Sequence, residues 1–117
     1  MLTLYSEPSL SDEAGVIVGE TRFFSSLNDV PLMQGMEEVE TRAISFDKPG
    51  GRISEAYAVI DDLKKMDILY FYQQTLPQLG WGQVSASKFF RRDEVMEFSF
   101  ENLDGRNIVK VMIGPTL

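Results

Sequence analysis

The segment VMEFSFENLDGRNIVKVMI, residues 95–113, constrains this chain more than any other. Met96, Phe98 and Phe100 alternate with Glu97, Ser99 and Glu101, a period of two that turns the first set inward and the second outward on a half-buried strand. Asp104-Gly105 follows as a two-residue hairpin signal, because both residues tolerate the positive φ that such a turn demands. NIVKVMI then closes the domain as the returning strand, before Gly114 and Pro115. A long antiparallel hairpin with one apolar face must bury that face against something, so a layered fold is required.

The rest of the chain supplies the layers. In TRAISF, Arg42, Ile44 and Phe46 alternate with Thr41, Ala43 and Ser45, and RISEAYAVI, residues 52–60, reads as a second strand. DKPGGR between them is a turn: Pro49 presets its backbone angle, and Gly50 and Gly51 accept positive φ. A helix is expected to start near Asp61 or Asp62, either of which can cap its free amides. Ile68, Phe71, Tyr72, Thr75, Leu76 and Leu79 fall on its sheet-facing side. Pro77 withdraws a donor and tightens the last turn, Gly80 permits the left-handed residue that ends it, and Trp81 anchors the next strand. WGQVSASKFFRR reads as one strand, turning at Arg92, Asp93 and Glu94. The expectation is an α+β fold: an antiparallel sheet of about five strands, in the order β-β-α-β-β-β, with one main helix on one face.

The charge is unevenly placed. Of the net −7, residues 1–40 hold eight acids and one base, Arg22, while the remaining ten acids and ten bases balance. Residues 1–35 are accordingly read as an acidic, partly flexible arm with apolar islands at Val16–Val18 and at Phe23, Phe24 and Leu27, and 36–117 as a single α+β domain. At 117 residues, 44% apolar and 25% charged, the chain has the composition of one globular domain. It has no cysteine and no histidine, which removes disulfides, thiolate nucleophiles, serine-histidine triads and the commonest zinc ligands. The N-terminus lacks the pattern of a secretory signal and no segment approaches the roughly 20 apolar residues of a membrane span, so a cytoplasmic location is expected.

FDKPGGRISEA, residues 46–56, and FYQQTLPQLGW, residues 71–81, give the segment from Met33 to Pro115 its resemblance. They are followed by a strand rich in phenylalanine and arginine and by a strand ending in proline. The segment resembles a small family of uncharacterised bacterial proteins, mostly alphaproteobacterial, with FDxPxGRI and FYxxTLPQLGW motifs. The resemblance implies an α+β fold and assigns no activity, so it carries over no catalytic residue. A looser FY…L…GW pattern recurs in domains of bacterial lipoproteins, but the lipobox cysteine that those carry is absent here.

Several constellations have both a functional and a plain structural reading. KFFRR, Lys88 to Arg92, mixes bases and aromatics as a single-strand nucleic-acid platform does, yet nearby Glu94, Glu97 and Glu101 neutralise it, and an ordinary strand end is preferred. KPGGR lacks the strand-to-helix context of a phosphate loop. Asp61 and Asp62, or Glu37, Glu38 and Glu40, do not have the spacing of a calcium loop, and no metal or cofactor is assigned. Leu63, Met66 and Tyr70 form a second apolar stripe on the far side of the helix and, with Phe23 and Phe24, are the candidate partner-binding residues. Tyr57, Tyr72 and Trp81 are candidates to line a ligand pocket near the helix C-terminus. The leading expectation is a non-enzymatic protein-interaction or self-association module, with a protein partner or a homo-oligomer and no nucleic acid. The alternative is a small-ligand-binding domain or an atypical carboxylate or tyrosine enzyme.

Overall fold

The computed structural model describes residues 22–116; the earlier part of the acidic arm, with Val16–Val18, lies outside them. The fold class is the expected one, α+β with a single main helix. Nine strands are described: β1 (Arg22–Phe23), β2 (Pro31–Leu32), β3 (Glu37–Glu38), β4 (Ile44–Lys48), β5 (Gly51–Val59), β6 (Gly82–Ser85), β7 (Lys88–Arg91), β8 (Glu94–Leu103) and β9 (Arg106–Pro115), with helix α1 (Lys65–Thr75) between β5 and β6. β1 and β2 form a small antiparallel ribbon. The other seven make one antiparallel sheet in the order β3-β5-β9-β8-β7-β6, with β4 also paired to β5.

The sheet therefore has more strands than the expected five, for two local reasons. Ala86 and Ser87 turn the chain between β6 and β7, splitting WGQVSASKFFRR into a short hairpin with a register shift between Gln83 and Ser85. Glu37–Glu38 adds a two-residue strand against Val59 and Ala58, and Glu40–Arg42 forms a 3-10 turn before β4 starts at Ile44.

Turn chemistry is local and behaves as the residue types require. Asp104 and Gly105 both have positive φ, 52° and 80°, in the two-residue loop that pairs Leu103 with Arg106. Helix α1 tightens at Leu76–Leu79 into a 3-10 turn around Pro77, and Gly80 ends it at φ 94°. The start of the helix differs from expectation. Its N-cap is Lys64, without a side-chain cap, because Asp61 is already held by Arg106 at 2.7 Å and Leu63 closes a turn onto the Ile60 carbonyl.

One hydrophobic core lies between the helix and one face of the sheet. Ile68, Tyr72 and Leu76 meet Ala56 and Ala58 of β5, Val109 and Val111 of β9, Met96 and Phe98 of β8 and Phe89 of β7. Each fully buried aliphatic side chain of this kind stabilises the fold by about 1.5–3 kcal/mol. Phe24, Leu27, Val30, Leu32 and Met36 belong to the same core, so the packed body begins well before residue 36. Two carboxylates fasten the loop between β1 and β2: Glu38 accepts from the Ser25 amide at 2.8 Å and the Ser26 hydroxyl at 2.7 Å, and Asp29 accepts from Arg91 and Arg52.

Candidate functional site

Side chains on a strand alternate between faces, so the covered face of this sheet defines an opposite one. Ser54, Ile113, Met96 and Phe89 are cross-strand partners and all lie in the buried interior. Their sequence neighbours therefore project to the other side. Phe46 pairs with Ile53, Gly114 pairs with Val95, and Val95 pairs with Phe90. Ile53 sits one residue beyond the Ser54–Ile113 pair, on a level with Gly114. The result is one row across β4, β5, β9, β8 and β7 reading Phe46, Ile53, Gly114, Val95, Phe90. Among the described residues nothing packs over it: Phe46 is 51% and Phe90 44% exposed.

The next level of this face holds Ile44, Glu55, Met112, Glu97 and Lys88, and the one after it Tyr57, Lys110 and Ser99. Its charges are mixed: Glu37, Glu55, Glu97 and Glu101 stand with Lys48, Lys88, Lys110 and Arg42. Lys110 lies 3.6 Å from Glu101, and the Arg42 guanidinium lies 4.9 Å from the centre of the Tyr57 ring. Burial, then the hydrogen bond that it donates to Glu55 at 2.8 Å, pushes the Tyr57 hydroxyl above its ordinary ionisation range.

The residues singled out from sequence are scattered by the fold. Tyr72 and Trp81 are both in the core, while Tyr57 points to the opposite face of the sheet, beside Ala56 and Ala58 that point inward. These three aromatic rings do not line a common pocket. A cleft of about 280 Å³ lies elsewhere, between Ile60, Leu63, Lys65, Phe100, Glu101 and Asn107. Of the partner-binding candidates, Met66 and Tyr70 stand out in solvent at 79% and 64% exposure, and Phe23 is exposed beside them in character though not in sequence. Leu63 is instead half-buried against the core, and Phe24 is wholly buried, so neither offers a free apolar surface. Phe24 is turned inward by the ribbon, whose Phe24 amide bonds to the Val30 carbonyl at 3.0 Å.

Near the helix end, where the pocket was expected, lies an ion cluster. Asp29 Oδ2 is 2.8 Å from Arg91 and 3.0 Å from Arg52, Arg52 reaches Glu94 at 2.8 Å, and the Arg91 guanidinium stacks on Trp81 at 4.2 Å. Register explains the meeting, since Arg91 pairs with Glu94 and Glu94 with Pro115, leaving Arg52 to reach over a residue without charge. Two cations and two anions neutralise one another here, so the cluster pins the β1–β2 loop to the sheet rather than presenting charge to a ligand. Burial opposes ionisation of Asp29, but hydrogen bonds and charge from Arg91 and Arg52 outweigh it and hold the carboxyl below its ordinary range.

Glu37, Glu38 and Asp61 are likewise occupied or dispersed: among the described residues no three acidic side chains gather as a metal-binding group. No helix among them is long and apolar enough to cross a membrane. Comparison with protein-family models, with curated proteins and with solved structures finds no match to this chain.

The sequence reading missed the row from Phe46 to Phe90. Each residue in it alternates correctly with an inward neighbour, and the surplus was visible in KFF, where one of two adjacent phenylalanines must face away from the core. Only the register of five strands brings them into line.

Proposed function

We propose that this chain is a non-enzymatic protein-interaction module that docks a protein on the uncovered face of its sheet. The observation that carries the reading is the apolar row Phe46, Ile53, Val95 and Phe90 on the side opposite the core. An antiparallel sheet with one solvated face ordinarily carries polar residues there, and a contiguous apolar strip rimmed by charge is the anatomy of an interface. The residue types support it as well, since without histidine or cysteine the chain lacks the usual base and thiol nucleophile near neutral pH.

The test is a binding comparison between the native chain and the double variant Phe46→Glu/Phe90→Glu. Both residues are half exposed, so the variant should fold with unchanged far-UV circular dichroism and a similar melting temperature. The native chain should associate, with itself or with a protein retained from lysate, and the variant should not. Equal association by both would refute the reading.

A further inference from the structure

Resting on that reading, we infer that the occupant of the open face is a second copy of this chain, packed face to face about a two-fold axis along β9, with Phe46 of each copy against Phe90 of the other. The argument is the symmetry of the row. Gly114 on β9 lies midway between its two phenylalanines, and Gly82 of β6 extends the row beyond Phe90 without a side chain. One strand to either side stand the β-branched residues Ile53 and Val95, and two strands to either side stand Phe46 and Phe90. A rotation of 180° about β9 exchanges the two halves, so phenylalanine meets phenylalanine and Ile53 meets Val95, each contact occurring twice. Such self-complementarity is what a closed two-fold interface requires. Gly114 leaves the axis free of a side chain at this row, while Met112 and Lys110 further along β9 each meet their own copy across it.

Acids and bases are mixed on this face, so a strongly charged partner gains little there, and a second copy of this chain, of net charge −7, meets like charges at only a few points. Five strands spaced about 4.8 Å apart present a plane of about 600 Å², since β4 and β7 are only five and four residues long, which is the lower end of the roughly 600–1,000 Å² per partner of a specific interface. Packed sheets lie about 10 Å apart with strands within about 30° of one another, a gap that opposed phenylalanines fill. The same axis sets Glu55 of each copy opposite Glu97 of the other, so added salt should tighten the dimer by screening them.

The chain has no cysteine, which makes a placement experiment clean. Phe46→Cys and Phe90→Cys are prepared separately and treated with a short bismaleimide, each alone and as an equal mixture, while light scattering follows the native chain over a concentration series. The expected result is a mass rising toward twice 13.3 kDa, more readily at higher salt, with a cross-linked species in the mixture and none in either variant alone. Cross-linking of one variant with itself, or a dimer that persists in Phe46→Glu/Phe90→Glu, would overturn the arrangement. A native chain that stays monomeric yet retains another protein through Phe46 and Phe90 would overturn the second copy while leaving the proposed function standing. A monomer that retains nothing would overturn both.

Discussion

The buried hydroxyl of Tyr72 donates to the backbone carbonyl of Pro31 at 2.6 Å, joining the middle of the helix to strand β2 across 41 residues of sequence. The Tyr72 ring also packs on Phe98, with centroids 4.3 Å apart, so one side chain ties the helix, the sheet and the N-terminal ribbon together. Burial pushes its ionisation far above the ordinary phenol range, which keeps it a donor at every pH at which the fold survives. Tyr72→Phe keeps the ring and strands the Pro31 carbonyl, at a cost of about 1–3 kcal/mol. Urea unfolding should show a lower midpoint with an unchanged slope.

Acid should weaken the attachment of the ribbon. Asp29 has a folded-state pKa below its unfolded value of about 3.8, because the arginine contacts outweigh the desolvation that opposes them. For a depressed carboxyl the linked stability is fully present above the unfolded pKa and is lost as pH falls below it toward the folded value. Glu38 behaves alike: desolvation is outweighed by hydrogen bonds from Ser25 and Ser26, and its stabilisation is lost below its ordinary value of about 4.5. Unfolding free energy should therefore hold steady from pH 7 to about pH 5 and fall below that. Asp29→Asn should flatten part of the fall and cost about 1 kcal/mol at neutral pH, a charge-assisted contact discounted for its partial exposure to solvent.

Gly80→Ala tests the helix terminator. A Cβ at this position meets only Arg91 Cδ at 3.5 Å, an ordinary contact, so space is not the obstacle. The backbone is: at φ +94° a residue with a Cβ is strained, by about 1–2 kcal/mol. Thermal unfolding should report the loss, and Gly50→Ala, in open space and without positive φ, should show much less.

Trp81 is the one tryptophan and is 1% exposed beneath Arg91. Its fluorescence should be blue-shifted and resistant to quenching by iodide. Arg91→Ala removes the stacked guanidinium and the 2.8 Å contact to Asp29 together, so quenching should rise while the circular dichroism of the sheet persists.

Met66→Glu/Tyr70→Glu separates the helix stripe from the sheet face. Both residues project into solvent, so stability should change by no more than about 0.5 kcal/mol. Light scattering should find association as in the native chain, whereas Phe46→Glu/Phe90→Glu removes it.

The contrast between those two pairs marks how far the sequence could be read. The stripe Leu63, Met66, Tyr70 was legible because helical spacing is local, yet it included Leu63, which the chain places before the helix and folds back toward the core. Tyr57, Tyr72 and Trp81 share only aromatic character. Whether they share a pocket depends on which face of β5 is covered, and that face is chosen by Ala56 and Ala58, small enough to let the helix approach. Phe24 was read as part of an arm because its neighbours are polar; its burial comes from residues of the helix and sheet that follow it much later in the chain.

By itself the sequence determined what a few adjacent residues can settle: the Asp104-Gly105 turn, the Leu-Pro-Gln-Leu-Gly helix end, the alternation of β8 and the α+β class. These depend on backbone sterics and periodicity within about ten residues. Tertiary structure alone decided that Asp29 would sit between Arg52 and Arg91, and that Phe46, Ile53, Val95 and Phe90 would align on one face. Both depend on hydrogen-bond register across several strands. Among the described residues the row is left open for a reason of size: an 11-residue helix is about 16 Å long and covers one side of the sheet, leaving the alternate residues of the strands on the other.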